Sequence, residues 1–288
     1  MQPPASVSDS PFIDGDFFES LCTRRAANLD LRNLRTRDLL YAETHAVPAL
    51  FERLRKEGFD QEFTLLTHNS DATVRRDPQG GLMLHLGLGI NPQSTPLQPP
   101  ANLRHWFGQN LDLPNDSRFT SLPIGLERRR WSRGLKHEIL AKLQPLACKV
   151  SPERLLYVNH AGNTNPERHG LAEHFATQSW CSVSGKVPFL DYCTGMLRCT
   201  FVLSPDGNGM DCHRTWEALY LGRFPVLRRS AFHEAVYRDL PVVFVDDWSE
   251  LTEELLQSKA PELAAKRPDP ERIGPAYYRK LVASRLTS

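Results

Sequence analysis

Short apolar runs alternate along the chain with amphipathic stretches, which is the pattern of an α/β protein. Residues 63–67, 154–158 and 201–204 are compact and apolar, and each run ends at turn-forming residues, as buried strands do. Residues 47–57 and 136–146 carry apolar side chains at three- and four-residue spacing, which predicts helices. Because strands that alternate with helices usually form parallel sheets, the pattern predicts an α/β fold.

The same pattern predicts further elements on both sides of residue 150. The additional strands are expected at residues 38–41, 119–124, 225–227 and 240–245, and the additional helices at residues 166–178, 214–221, 248–258 and 273–286. Residues 80–100 are rich in glycine and proline and are expected to form a loop. The rhythm predicts two α/β lobes with a cleft between them, residues 1–149 and 150–270, and a C-terminal helix, residues 271–288, that crosses back to the first lobe.

Composition and charge narrow the class of protein. The 288 residues include 35 Lys and Arg against 34 Asp and Glu, so the chain lacks the basic excess that nucleic-acid partners require. No run of about 18 apolar residues is present, and residues 1–10 resemble a flexible leader rather than a secretion signal. The six cysteines show no Cys-x-x-Cys spacing, which predicts free thiols in a reducing compartment. We therefore expect a cytoplasmic protein without a transmembrane segment, unless an N-terminal anchor has been removed.

The most informative segment is a strand, a glycine-bearing loop and a helix between residues 201 and 221. The loop contains Gly207 and Gly209, and glycines let the backbone approach a phosphate group at the start of the following helix. Arg214, in the first turn, offers a planar fork for a diphosphate, and Glu217 on the same helix face can accept both hydroxyls of a ribose. Spacing alone fits equally well a surface ion pair between Arg214 and Glu217.

The run from Phe201 to Val226, together with residues 237–248, resembles the C-terminal region of exostosin-like glycosyltransferases. An arginine, a Trp-Glu-Ala-Leu helix, a Gly-x-x-Pro-Val strand and a Leu-Pro-Val-Val segment ending in Asp-Asp-Trp occur in the order of the family. Less specific similarities lie upstream, at residues 67–71, 106–110, 122–127 and 163–168. The resemblance covers about residues 60–260.

This resemblance implies a GT-B fold, in which two Rossmann-like lobes face each other and the C-terminal lobe holds a nucleotide sugar. It implies an inverting, metal-independent transfer from a UDP-sugar, for example UDP-xylose or a UDP-hexose, to a hydroxyl of a glycan or glycoconjugate, with no tightly bound cofactor. The alternatives left open are a fucosyltransferase that uses GDP-fucose and a non-catalytic module that binds a nucleotide or sugar. The residues expected to bind the donor are Asn163, Arg168, Gly207, Asn208, Gly209, His213, Arg214 and Glu217.

An inverting transfer needs a base for the acceptor hydroxyl and a cation for the leaving diphosphate. His68 and Asp71 follow the predicted strand 63–67 at its carboxyl end, where ligands of α/β sheets bind, so we expect the base there. An ordinary turn and helix cap would explain the same residues. Arg214, together with Arg168, is expected to stabilise the diphosphate.

For four further side chains, a role in catalysis is one of the possible interpretations. Glu43 and His45 follow the predicted strand 38–41 and are additional candidates for the base. Asp14 and Asp16 match the Asp-x-Asp pattern of metal-dependent transferases, but the absence of a following strand–helix unit favours a simple turn.

The remaining conspicuous residues are expected to be structural or lie at the acceptor. Asp246 and Asp247 follow a predicted strand, which favours a cap for the next helix. The basic run of residues 128–130 is more typical of a solvated turn than of a polyanion site. Trp106 and Trp131 fit either stacking on an acceptor sugar or burial in the core.

Overall fold

Two parallel five-stranded sheets organise the chain, one in each half. The computed structural model describes residues 10–36, 38–87, 93–266 and 269–286. The leader predicted at residues 1–10 lies outside these ranges except for Ser10.

The first half carries a parallel sheet and a smaller, mostly antiparallel one. Its helices are α1 (Gly15–Ser20), α2 (Val47–Lys56), α3 (Arg129–Ser132) and α4 (Leu135–Ala147). Its strands are β1 (Arg24–Arg25), β2 (Leu39–Glu43), β3 (Phe63–His68), β4 (Thr73–Arg76), β5 (Leu82–Leu86), β6 (Gln93–Leu97), β7 (Leu103–Gln109), β8 (Leu111–Asp112) and β9 (Phe119–Leu122). The parallel sheet has the order β1-β2-β3-β7-β9, and the second sheet has the order β6-β5-β4-β8.

The second half carries one parallel sheet, and its strands are separated along the chain by helices and loops. Its strands are β10 (Arg154–Val158), β11 (Cys181–Val183), β12 (Cys199–Leu203), β13 (Phe224–Arg228) and β14 (Val243–Val245), in the spatial order β11-β10-β12-β13-β14. Its helices are α5 (Leu171–Ala176), α6 (Phe189–Leu197), α7 (His213–Tyr220), α8 (Ala231–Tyr237), α9 (Glu253–Ala265), α10 (Pro270–Ile273) and α11 (Pro275–Leu286). Every pairing in this sheet is parallel, which confirms the predicted α/β class.

Three predicted elements differ from the structure for identifiable reasons. The prediction of a loop at residues 80–100 was wrong, because β5 and β6 form an antiparallel pair there. Leu82 and Leu84 are buried on one face of β5. The helix expected at residues 166–178 is interrupted at Gly170, whose φ is 74°. A short 3-10 turn precedes this glycine, and α5 begins after it. The helix expected at residues 248–258 divides into a 3-10 turn and α9, which starts at its own cap, Thr252.

Tyr220 ties the N-terminal and C-terminal segments to the second half. Its hydroxyl accepts a hydrogen bond from the backbone N–H of Ile13 at 3.0 Å and donates one to the carbonyl oxygen of Ile273 at 2.9 Å. Beside it, the ring of Tyr278 in α11 packs edge-on against Phe18 of α1, with ring centroids 5.6 Å apart. These contacts form part of one hydrophobic core shared by both halves of the chain. No helix in the described ranges is long and apolar enough to cross a membrane.

Candidate functional site

A central cavity of about 530 Å³ lies where loops from both parallel sheets meet. The loops follow the carboxyl ends of β3, β10 and β12, the edge at which parallel α/β sheets bind ligands. Most of the residues predicted to form the donor and catalytic sites line this cavity, namely Asp71, Arg168, Gly207, Asn208, Gly209, His213, Arg214 and Glu217. His68 and Asn163 are not among its lining residues, and Asn163 is exposed on the neighbouring loop.

Gly207 and Gly209 are required by close packing of the loop that contains them. A Cβ atom on Gly209 would lie 2.4 Å from Nδ2 of Asn110 and 3.1 Å from the carbonyl oxygen of Asp71, both in the first half of the chain. A Cβ atom on Gly207 would lie 2.9 Å from Nη2 of Arg168. The two glycines therefore let this loop, residues 204–212, lie directly against its neighbours, a reason that the sequence pattern did not reveal.

Buried Asp211 fastens the same loop to the first half. Its carboxylate accepts a hydrogen bond from the backbone N–H of Ile124 at 2.7 Å, and its own N–H donates to Oδ1 of Asn110 at 3.0 Å. The side chains of Trp216 and Tyr237 also donate to this carboxylate. Because every donor comes from a different element, Asp211 fixes the position of the loop relative to both sheets.

Arg168 supports the 204–212 loop and has no donor left for a ligand. Its Nε donates to the carbonyl oxygen of Asp206 at 2.6 Å, and Nη2 donates to that of Pro205 at 2.9 Å and to Sγ of Cys212 at 3.5 Å. Its Nη1 donates to two acceptors within residues 161–164, at 3.2 and 2.8 Å. A guanidinium has five N–H donors, so all are engaged. These contacts contradict the predicted role of Arg168 as a ligand of the diphosphate.

Arg214 and Glu217 face the central cavity with unpaired atoms. Nε of Arg214 donates to the carbonyl oxygen of Asn159 at 2.9 Å and Nη1 to Oγ of Ser204 at 3.5 Å, while Nη2 has no partner among the described residues. Oε2 of Glu217 accepts from the Tyr192 hydroxyl at 2.8 Å, and Oε1 has no partner in the same ranges. Burial and the Glu217 charge raise the pKa of Tyr192, so this phenol stays a donor. The structure also shows no Arg214–Glu217 ion pair within the described ranges.

His213 lies at the junction of the central cavity with a smaller one. Its Nδ1 lies 2.8 Å from the carbonyl oxygen of Gly125, so Nδ1 carries the proton and donates. In the neutral ring Nε2 is then an acceptor, and it has no partner among the described residues. The sequence predicts that His213 lies near the donor. The orientation of its ring depends on a carbonyl group 88 residues away, so local sequence does not predict it.

The smaller cavity, here the side cavity, has a volume of about 320 Å³ and extends into the first half of the chain. It shares Asp71, Ile124 and His213 with the central cavity. Asp71 is exposed at this junction, and Trp131, 60% exposed, also lines the side cavity. Two connected cavities therefore meet at one carboxylate and one imidazole.

His68 borders the side cavity but is almost completely buried, and its neutral ring donates one hydrogen bond, from Nε2 to a backbone carbonyl oxygen. Its ring is 1% exposed and stacks on Phe18, with centroids 4.8 Å apart. Nε2 lies 2.9 Å from the carbonyl oxygen of Pro123, and Nδ1 lies 3.3 Å from Oδ1 of Asn69. Burial lowers the pKa of His68 to about 4, so the ring is neutral at neutral pH. The burial of the ring against Phe18 and its low pKa thus argue against His68 as the base.

The other candidates for base or metal ligand are engaged elsewhere. Glu43 and His45 lie 3.4 Å from each other and line neither cavity. Asp14 caps α1 and lies 2.9 Å from Nε2 of His137, while Asp16 accepts from Arg128 at 2.6 Å. Within the described ranges, no three His, Cys, Asp or Glu side chains are grouped so that they could hold a metal ion.

The basic run and the tryptophans have different environments from those expected. Arg128 is buried, not solvated, because Asp16 and Glu19 form ion pairs with its guanidinium. Trp106 is fully buried and donates to Oγ1 of Thr67 at 2.9 Å, which excludes it from an acceptor site. Asp247 caps the 3-10 turn that begins at Trp248, as predicted.

Asp206, in the 204–212 loop, makes the stability of the fold depend on pH. Burial raises the pKa of its carboxyl group to about 7, although His233, 3.3 Å away, and Arg168 lower it. The folded protein therefore holds this proton more tightly than the unfolded chain does. The resulting stabilisation is complete below about pH 4 and is lost as the pH rises through about 7.

We expect Asp206→Asn, which cannot ionise, to gain stability relative to the wild type as the pH rises. The measurement is the difference in melting temperature between the two proteins from about pH 5 to about pH 8. Asp239→Asn, at an exposed carboxylate, is the control and should show a constant difference. A constant difference for Asp206→Asn as well would mean that its pKa is not raised.

No protein-family model and no curated protein matches this chain. The geometry of the two cavities and the resemblance of residues 201–248 are therefore the features that indicate a function.

Proposed function

We propose that this chain is a glycosyltransferase of the GT-B type, with an acceptor lobe in residues 1–149, a donor lobe in residues 150–270 and a C-terminal segment in residues 271–288. The observation that carries this proposal is a pair of oppositely charged side chains, Arg214 and Glu217, on one face of α7 in the central cavity, each with one polar atom that lacks a partner among the described residues. An arginine and a carboxylate three residues apart on one helix face can bind a diphosphate and the hydroxyls of a ribose. The cavity volume of about 530 Å³ is also within the usual range for a small-molecule site.

The proposed donor is a UDP-sugar, for which UDP-xylose and UDP-hexoses are the favoured examples. Nη2 of Arg214 and the N-terminus of α7 would bind the diphosphate, and the free oxygen of Glu217 would accept the ribose hydroxyls. His213, Gly207, Asn208 and Gly209 line the same space. In this proposal Arg214 and the N-terminus of α7 replace a metal ion at the diphosphate.

The proposed acceptor is a glycan hydroxyl that enters through the side cavity. Asp71, exposed where the two cavities meet, would take the hydroxyl proton. The acceptor oxygen then forms a bond to the anomeric carbon while the bond from that carbon to the diphosphate breaks. The leaving diphosphate takes the electron pair of that bond, and Arg214 stabilises its charge. Attack from one cavity and departure into the other is consistent with inversion.

His213 is a second candidate for the base. Its Nε2 has no partner among the described residues, and the Gly125 carbonyl group holds the ring with that nitrogen as the acceptor. An Asp71→Asn enzyme with unchanged turnover would indicate that His213, and not Asp71, is the base.

Isothermal titration calorimetry with UDP and GDP, in excess EDTA, tests the donor site. We expect one nucleotide to bind the wild type, and Glu217→Gln to weaken binding by about 1.5–3 kcal/mol, or roughly ten- to a hundredfold, because a charge-assisted hydrogen bond is lost. UDP binding supports the favoured donor, and GDP binding supports a GDP-fucose enzyme.

Tyr192→Phe is the matched control for Glu217→Gln. It removes the hydroxyl that bonds Oε2 but keeps the carboxylate, so nucleotide affinity should change much less. Failure of both nucleotides to bind the wild type, with or without magnesium or manganese, would refute the proposed function.

A further inference from the structure

A third cavity, of about 730 Å³, lies at the other end of α7, and here it is named the α7-end cavity. It is bounded by the last turn of α7, the residues that follow α4, and one face of α9 and α10. Its walls are largely apolar and include Val150, Leu219, Phe224, Ala260 and Ile273. None of these residues lines the central or the side cavity.

One buried cation, Arg223, forms part of this apolar wall. The residue is 8% exposed, and burial lowers the pKa of its guanidinium. Its Nη2 donates to the carbonyl oxygens of Ala147 and Val150, at 3.3 and 3.1 Å, just where α4 ends. Nε is buried without a partner, and no carboxylate pairs with Arg223 in the described ranges.

A structural role explains only part of this arrangement. Capping the end of α4 uses Nη2, and the carboxyl-end charge of the helix favours a cation there. The remaining donors of Arg223 have no acceptors within the described part of the chain, although a buried charge without a partner is costly. An anion beside the guanidinium would supply both acceptors and charge.

We propose that the α7-end cavity binds a small amphiphile with one anionic head group, a carboxylate or a phosphate. The head group pairs with Arg223, and the hydrocarbon body occupies the space between Leu219, Phe224 and Ala260. The charge complementarity favours an anion over a neutral lipid, and the apolar walls favour an amphiphile over a free inorganic ion.

Calorimetry with decanoate and decyl phosphate, each below its micelle-forming concentration, and with decanol below its solubility limit tests this proposal on the full chain. We expect at least one of the two anions to bind the wild type about tenfold or more tightly than decanol, since a charge-assisted bond contributes that much. Tighter binding of decanoate identifies a carboxylate ligand, and tighter binding of decyl phosphate identifies a phosphate ligand.

Two variants distinguish this cavity from adventitious binding elsewhere. Arg223→Gln removes the charge, and Ala260→Trp fills the cavity from α9 without touching the cap of α4. Each should weaken binding of the anion about tenfold or more, and Ala260→Trp remains informative if Arg223→Gln does not fold. Equal affinity of wild type and Ala260→Trp, or no binding of either anion, would overturn the proposal. Nucleotide binding at the central cavity is a separate measurement, so the two proposals fail independently.

Discussion

Replacing Arg214 by alanine is expected to lower sugar transfer at least a hundredfold while the fold is preserved. The side chain is half-buried at the start of α7 and uses Nε and Nη1 for neighbouring oxygens, which aims its free Nη2 at the central cavity. Loss of a fixed cation at the leaving group removes about 3 kcal/mol of transition-state stabilisation, equivalent to roughly two orders of magnitude in rate. The measurement is the initial rate of transfer from the nucleotide sugar that the binding assay identifies.

Arg198→Ala is the matched control for this change. Arg198 is exposed, and its only ion pair in the described ranges is with Glu153 at the surface, 3.6 Å away. Its removal should leave the rate within about twofold of the wild type, because exposed ion pairs contribute little. An Arg214→Ala enzyme with normal turnover would exclude Arg214 from catalysis. Nucleotide binding without any transfer by the wild type would instead favour a non-catalytic binding module.

Replacing Arg168 by alanine is expected to lower the free energy of unfolding by about 3–5 kcal/mol and to abolish nucleotide binding. The change strips hydrogen-bond donors from the carbonyl oxygens of Pro205 and Asp206 and from two acceptors in residues 161–164. Each buried group left unpaired costs about 1–3 kcal/mol, and part of this cost is relieved by water entering the space. Urea denaturation followed by tryptophan fluorescence gives the change in stability.

The stability measurement separates the two roles that Arg168 could have. A diphosphate ligand would lose binding with nearly unchanged stability, whereas a support for the 204–212 loop loses both together. Arg168→Lys, which keeps the charge but can engage fewer of these acceptors, should also be destabilised. Wild-type stability in both variants would contradict the supporting role.

Local patterns predicted the elements that local chemistry determines. The apolar run of β3, the strand β12 and the helix α7 were all predicted within a few residues, and Gly222, with a φ of 65°, follows the end of α7. Each of these depends on the spacing of apolar residues or on a glycine at a fixed position, which a sequence displays directly. The antiparallel pair of β5 and β6 was missed because the glycines and prolines of residues 80–100 obscured the alternating leucines of β5.

The roles of individual charged side chains could not be predicted in this way. Arg168 and Arg214 are the same type of residue near the same loop, yet one has all its donors engaged and the other does not. Arg128 is buried because Asp16 and Glu19, more than 100 residues away, form ion pairs with it. Such contacts depend on tertiary approach, which residue spacing does not encode, so the sequence identified the residues near the cavity better than their functions.

Helix α7 connects the two cavities at opposite ends of the second half. Its eight residues span about 12 Å, with Arg214 in the first turn at the central cavity and Leu219 in the last turn at the α7-end cavity. The two cavities therefore share one short helix as part of their walls. By thermodynamic linkage, any factor by which the proposed amphiphile changes nucleotide affinity must equal the factor by which the nucleotide changes amphiphile affinity.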